Sequence, residues 1–311
     1  SPYLTLTRLR GITWFNEYRI GNASLTAALE RKEDWLENDP IRQGRSQDAV
    51  ALGYGLRSGQ HSLQLNVRHD KDSEFGGKST GSAAYGYNLS AFWRATATLG
   101  SAFRAPTLYQ RFSIYGLPSL QPEFARNAEL ALRFTEGSTQ AQVVAYRNRV
   151  SNLITFVSAP GPCVAGSGSF PGCYGNTADA LYEGMTFSAQ HSVAGYALRG
   201  SLDLQNPRDL TLHKALARRA KQHANLGVDK RFGAWLLGTE AQLVGKRFSG
   251  AGETLPMGGY ALWNLVASSR IAPDWALVAR LDNLGDKRYE TANGYATAGR
   301  SLMVSLKWQP Q

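Results

Sequence analysis

The sequence predicts an all-β fold: a transmembrane antiparallel β-barrel of the outer-membrane type, with about 15 strands. Three observations carry this expectation. Segment after segment alternates apolar and polar residues with a period of two, the mark of strands with one greasy and one wet face. The connections alternate between short turns and long loops. No run of 18 apolar residues exists, so a membrane-spanning chain of this sequence must cross with strands.

Strand candidates fall near 9–20, 23–36, 47–57, 61–71, 78–88, 91–101, 124–135, 140–156, 180–191, 196–206, 217–231, 234–247, 258–271, 274–287 and 299–309. Within them, Leu63, Leu65 and Val67 oppose Gln64, Asn66 and Arg68. Leu198, Leu202 and Leu204 likewise oppose Arg199, Ser201, Asp203 and Gln205. In the final strand Leu302, Val304, Leu306 and Trp308 share a face, with Ser301, Met303, Ser305 and Lys307 on the other. Most candidates reach or exceed the roughly 9–11 residues that a tilted strand needs to cross a bilayer.

The short connections are Gly21-Asn22, Ser58-Gly59-Gln60, Gly137-Ser138-Thr139, Ala194-Gly195, Phe232-Gly233 and Ala272-Pro273-Asp274, all rich in turn residues. The long ones are expected near 37–46, 102–123, 157–179, 207–216, 248–257 and 288–298. Short turns on one rim and long loops on the other match an outer-membrane barrel with its long loops outside the cell. An odd strand count leaves the first strand running toward the periplasm. The chain is therefore expected to be the C-terminal portion of a larger barrel, one barrel domain over residues 1–311. Its expected location is the bacterial outer membrane.

Composition fits. Hydrophobic residues make up 43% and mean hydropathy is −0.32, as when only alternate residues face lipid. Tyr (14) and Trp (7) suit membrane–water boundaries. The net charge of +10 points to arginines lining a wet lumen, or to lipid headgroups and lipopolysaccharide phosphates. No Lys/Arg cluster resembles a nucleic-acid patch; the densest, Ala217-Arg218-Arg219-Ala220-Lys221, is expected to open a strand. No nucleic acid, cofactor or metal partner is expected.

Two stretches carry a family resemblance. Leu99-Gly100-Ser101-Ala102-Phe103-Arg104-Ala105-Pro106-Thr107-Leu108, then Leu120-Gln121-Pro122-Glu123 and Asn127-Ala128-Glu129-Leu130, resemble an "SFRAPTL … L-x-PE … E-x-G" region. Asp282-Asn283-Leu284-Gly285-Asp286-Lys287-Arg288-Tyr289, then Gly294-Tyr295 and Ala298-Gly299-Arg300, are similar to a closing "NLFDKxY … GY … PGR" hairpin. Both belong to TonB-dependent outer-membrane receptors. Tyr146 to Ile154 looks most like the vitamin B12 (cobalamin) receptors, though siderophore receptors carry similar strands. The resemblance implies the last strands of a 22-stranded barrel, with no counterpart here of the plug or of the box that contacts the TonB complex. It implies capture of a scarce ligand by outer loops and plug-gated passage.

Aromatics in the long loops are the ligand candidates: Phe112, Tyr115, Tyr174 and Tyr295, with Asn176 beside them. An aromatic with one polar tip suits a large amphipathic solute, but taken singly each residue fits the aromatic girdle or loop packing better. Arg104 and Arg300 are expected to hold structure rather than ligand. Cys163 and Cys173 flank a Gly/Ser-rich tip and are expected to pair in an exported loop. Closing so short a loop contributes roughly 3 kcal/mol at most.

The five histidines are scattered, and His69 and Asp70, as strand neighbours, point to opposite faces. No nucleophile elbow or phosphate loop is apparent, so an enzyme is not expected. A passive porin-like channel is the remaining alternative.

Overall fold

The computed structural model describes residues 4–158 and 172–310. The alternating segments form β1 (Leu6–Ile20), β2 (Ala23–Asn38), β3 (Ile41–Ser58), β4 (His61–Asp72), β5 (Gly76–Asn88) and β6 (Trp93–Arg104). A short helix, α1 (Leu108–Phe112), precedes β7 (Glu123–Glu136), β8 (Thr139–Ser158), β9 (Gly172–Val193) and β10 (Tyr196–Gln205). Then come the two-residue strands β11 (Arg208–Asp209) and β12 (Lys214–Ala215), followed by β13 (Gln222–Phe232) and β14 (Trp235–Val244). The chain closes with β15 (Arg247–Gly250), β16 (Thr254–Met257), β17 (Tyr260–Ala272), β18 (Trp275–Asp282) and β19 (Ser301–Trp308). Among the described residues, seventeen strands belong to one sheet, and β15 and β16 form a separate hairpin. Every expected strand is present, and the four additional ones sit inside expected long loops.

Three expectations are corrected. The segment 37–46 is not a long loop: β2 and β3 meet in a tight hairpin, with Asn38 paired to Ile41. The strands run on past the apolar band, where both faces are wet and hydrophobic alternation no longer marks a strand. Residues 217–221 are not strand; β13 begins at Gln222, and Arg218 adopts a positive φ of 59° while its N–H reaches the Phe248 carbonyl at 2.6 Å. The segments 207–216 and 248–257 are small hairpins rather than irregular loops.

The chain divides into two compact units. The first holds Ser1–Asn88, Thr96–Leu130 and Arg147–Leu181. Its strands β1 to β5 pair in order, each antiparallel to the next. The register places Leu25, Leu52, Val67 and their row partners on one face, and Glu30, Ala49, Asp70 and Lys78 in a row on the other. The apolar face is the exposed one, with Leu25, Leu29, Val50, Leu52, Leu65 and Val67 uncovered. Such a pattern suits lipid, which the apolar face meets without cost.

The second unit holds Leu89–Ala95, Ala131–Tyr146 and Tyr182–Gln311. Here β10, β13, β14, β17, β18 and β19 pair in order. One row runs Leu198, Val228, Thr239, Leu265, Leu281, Leu302 across all six strands. The neighbouring row is wet: Arg199, Gly227, Glu240, Asn264. Aromatics gather at the short turns. Trp275 packs on Trp308 at 6.3 Å, Trp93 on Phe134 at 5.0 Å, and the Lys230 ammonium sits 3.8 Å from the Tyr196 ring centre. This is the girdle expected where a strand wall leaves lipid for water. In the first unit every residue of β1 is exposed, and in the second every residue of β19 is.

Candidate functional site

The candidate site grows from the long segment between β6 and β7 in the first unit. Its two ends are tied together: Arg104, the last residue of β6, donates Nε and Nη2 to the carboxylate of Glu123, the first residue of β7, at 2.7 and 2.5 Å. The same carboxylate accepts the buried Ile154 N–H at 2.8 Å, fixing β8 beside it. The helix α1 starts from a capping box, Thr107 Oγ1 accepting the Gln110 N–H and Gln110 Oε1 accepting the Thr107 N–H. Pro106, Leu108 and Leu120 are buried.

A charged cluster underlies this segment. Arg45 on β3 is only 8% exposed; it pairs with Asp34 at 2.5 Å and lies 3.6 Å from Asp72, whose side chain is fully buried. Its other nitrogen donates to the Pro106 carbonyl at 2.6 Å, so a wall residue holds the loop directly. Arg111 on α1 pairs with Glu74 and donates twice to the Pro118 carbonyl. Its guanidinium is stacked between Phe75 and Phe112, at 5.0 and 4.7 Å. Phe112 is thus a platform for Arg111.

The sequence-derived residues divide accordingly. Tyr115 and Tyr174 come together, joined by the Tyr174 N–H to Tyr115 carbonyl bond at 2.9 Å. Phe156 lies between their rings, edge-on to both, at 5.8 and 5.6 Å, and Tyr109 adds a fourth ring 6.3 Å from Tyr174. Asn176 is beside them, but its amide is spent on backbone: it accepts the Gln121 N–H and donates to the carbonyls of Gln121 and Asn152, all within 2.9 Å. Tyr295 belongs to the second unit and is 70% exposed. Cys173 is buried, while Cys163 lies outside the described residues, and with it the expected pairing.

Sequence reasoning missed Phe156 and Tyr109. Phe156 sits at the end of a strand, where an aromatic reads as girdle; half its surface is exposed. Tyr109 needed the capping box to be recognised: Thr107 and Gln110 carry it in the sequence.

The inner, polar face of each unit carries an ion-pair ladder. In the first, Glu30 pairs with Lys32 (2.9 Å) and Arg68 (2.6 Å), and Arg68 with Asp70 (2.8 Å). A cleft of about 450 Å³ runs along Lys32, Arg68 and Asp70 to Arg104. In the second, Glu240 bridges Arg199 and Arg280, each at 2.9 Å, at a cleft of about 690 Å³ lined also by Gln140, Gln142 and Ser188. Among the described residues no His/Cys/Asp/Glu group could hold a metal ion.

An exposed apolar outer face, an ion-paired inner face, aromatic short-turn rims and folded long segments together define a strand-built outer-membrane barrel protein. Residues 5–284 match the family described as TonB dependent receptor-like, beta-barrel, and the chain belongs to that family. It is 28% identical over 96% of its length to the vitamin B12 transporter BtuB of Vibrio cholerae serotype O1, from two strains. The chain spans about half the length of these curated relatives, covering 49% of each.

Its fold superposes on the copper transporter OprC with a TM-score of 0.82 at 16% identity, over 97% of this chain and 56% of that one. It also superposes on a variant of the ferric enterobactin receptor PfeA of Pseudomonas aeruginosa, with a TM-score of 0.79 at 18% identity, over 97% and 54%. These relatives are transporters and receptors, not enzymes.

Proposed function

We propose that the parent protein takes up vitamin B12 (cobalamin) across the outer membrane, and that residues 1–311 act as one partial barrel domain within it. Outer loops capture the ligand, and passage is gated by a plug moved through the TonB complex. The observation that carries the choice of ligand is the 28% identity to BtuB across 96% of the chain. The likeness to siderophore and metal receptors, at 16–18% identity, speaks for the fold alone. The ring cluster of Tyr109, Tyr115, Phe156 and Tyr174 supports capture of a large ring-shaped solute through packing with a few polar tips. Tyr295, exposed in the second unit, is a candidate ligand contact considered by itself. A Cys163–Cys173 disulfide would hold the tip that carries Tyr174, and a mass 2 Da lower before reduction than after would test it. Lipopolysaccharide is a further proposed partner, suited to the basic surface.

The deciding experiment is equilibrium binding of cyanocobalamin and of a ferric catecholate siderophore to the full-length receptor in detergent. Tight cyanocobalamin binding that weakens in Phe156→Ala and Tyr174→Ala supports the reading. Binding of the siderophore alone replaces cobalamin with the alternative ligand, and binding of neither favours a passive channel.

A further inference from the structure

The polar inner face of the second unit carries amide side chains that no ion pair and no outer loop uses. Gln190, Arg199, Gly227, Glu240 and Asn264 form one row across five strands. Ser188, Ser201, Asn225 and Gln242 form the row two residues along. Apart from Gly227, these residues line the cleft of about 690 Å³, together with Gln140 and Gln142 of β8. A Cβ at Gly227 would fall 2.5 Å from the Arg199 Nε, so the glycine lets that side chain lie along the wall.

The cleft is polar but close to neutral. Arg199 pairs with Asp229 and, at 2.9 Å, with Glu240. Arg280 pairs with Glu240 at 2.9 Å and with Asp282 at 2.7 Å. Arg133, the third arginine of the lining, donates to Gln140 Oε1 at 3.4 Å. Three arginines are thus matched by three carboxylates, and a multiply charged anion gains no net attraction here.

The amides are lightly committed. Asn225 Nδ2 donates to Ser201 Oγ at 3.4 Å, and Gln242 Nε2 lies 3.3 Å from His223 Nε2, both long contacts. Asn264 accepts the Asn283 N–H at 2.9 Å through its side-chain oxygen. Among the described residues Gln142 and Gln190 have no side-chain partner. A carboxamide offers two N–H donors and one acceptor oxygen, so a second carboxamide can meet it in a paired contact.

Heights give the cleft a direction. Counted from their own short turns, Asn264 stands eight residues above Ala272 and Glu240 five above Trp235. Gln142 and Gln190 stand three above Thr139 and Val193. For strands rising about 3.3 Å per residue at a tilt near 40°, those heights are about 20, 13 and 8 Å. The amides therefore descend through the wall toward the short-turn rim.

We propose that this cleft is a transit subsite for a neutral solute bearing several carboxamide groups, passed down from Asn264 to Gln142 and Gln190 by exchange of amide–amide hydrogen bonds. The inference rests on the cobalamin reading and deepens it, because cobalamin carries a fringe of carboxamide arms around its corrin ring. The cleft takes one edge of so large a solute. Contacts that are weak singly and several in number suit passage, since the solute must leave each position as readily as it enters.

The test uses the full-length receptor and radiolabelled cyanocobalamin, with equilibrium binding in detergent and the rate of uptake into cells as separate readouts. Gln142→Leu combined with Gln190→Leu nearly keeps side-chain size and removes both amides. Uptake should fall about tenfold, while the equilibrium affinity set by the outer loops changes less than about twofold. Gln142→Asn combined with Gln190→Asn should recover part of the rate. Unchanged uptake in the leucine variant overturns the proposal. Slower uptake accompanied by a lower thermal midpoint overturns it as well, because the amides would then serve packing within the receptor. The monocarboxylic acids of cyanocobalamin, each with one peripheral carboxamide hydrolysed, probe wild type and so decide even if the leucine variant misfolds. At least one of these isomers should bind with the affinity of cyanocobalamin and pass several-fold more slowly; uptake of all of them at the parent rate overturns the subsite. Absence of cyanocobalamin binding sinks the ligand reading itself, whereas binding with unchanged uptake sinks this inference alone.

Discussion

Arg104 and Glu123 close the base of the segment between β6 and β7 with a two-pronged ion pair, and the carboxylate that receives the guanidinium also caps the buried N–H of Ile154. One acidic side chain therefore joins three strands. Glu123→Ala should leave that amide unpaired and lower stability by about 1–3 kcal/mol. Amide exchange at Ile154 in the full-length receptor is the measure. If its protection in the variant equals that of wild type, the joint is not what holds β8 in place.

Arg45 is the central cation of the cluster beneath α1, with Asp34 and Asp72 as its anions. Removing one member of a buried pair leaves an uncompensated charge, so Arg45→Ala should cost about 3–5 kcal/mol. Arg45→Ala combined with Asp72→Ala should cost less than the sum of the two single changes. The thermal midpoint of the full-length receptor reports both. The Pro106 carbonyl also loses its donor, so ligand affinity should fall with stability.

Gly116 turns the chain directly against α1. A Cβ there would stand 2.5 Å from the Arg111 carbonyl carbon and oxygen and 2.6 Å from the Phe112 nitrogen, all rigid backbone. Gly116→Ala should therefore displace the segment that carries Tyr115. The expected outcome is weaker ligand binding with little change in the thermal midpoint, since the wall strands are untouched. Undiminished affinity would remove Tyr115 from the site.

Glu253 clamps the β11–β12 hairpin to the turn between β15 and β16. Its carboxylate accepts the Ala215 N–H at 3.1 Å and the Lys214 ammonium at 3.4 Å. The Ala215 N–H, and then Lys214, hold the acid below its ordinary value of 4.5. A depressed folded-state pKa contributes stability above the unfolded value, and this is lost as the pH falls through the folded one. Protection of the Ala215 amide should thus be constant near neutrality and decline below about pH 4.5. In Glu253→Gln that acid-dependent decline should vanish.

Much of the wall was legible because its physics is local in sequence. Leu63, Leu65 and Val67 declare one face, and Gly21-Asn22 or Phe232-Gly233 declare a rim. The closing hairpin was legible as a motif, and its residues prove to be turn scaffolding. Asn283 exchanges hydrogen bonds with the backbone of Lys287 at 2.8 and 3.0 Å, and Asp286 accepts the Arg300 N–H at 2.9 Å. Legibility ended where water reaches both sides of a strand. Around Arg42 and Gly44, alternation fades although pairing continues, so a hairpin read as a loop.

By itself the sequence determined the architecture: the period of two, the short turns of one rim, and the side of each strand that meets lipid. Those depend on neighbours a few residues apart, which any reader of the chain can see. Only the tertiary structure decided which loop side chains meet. It set Phe156 between Tyr115 and Tyr174, spent Asn176 on backbone, and put Tyr295 in a different unit. Contacts between residues 18 to 55 positions apart follow from strand register and loop closure, and no local pattern encodes those.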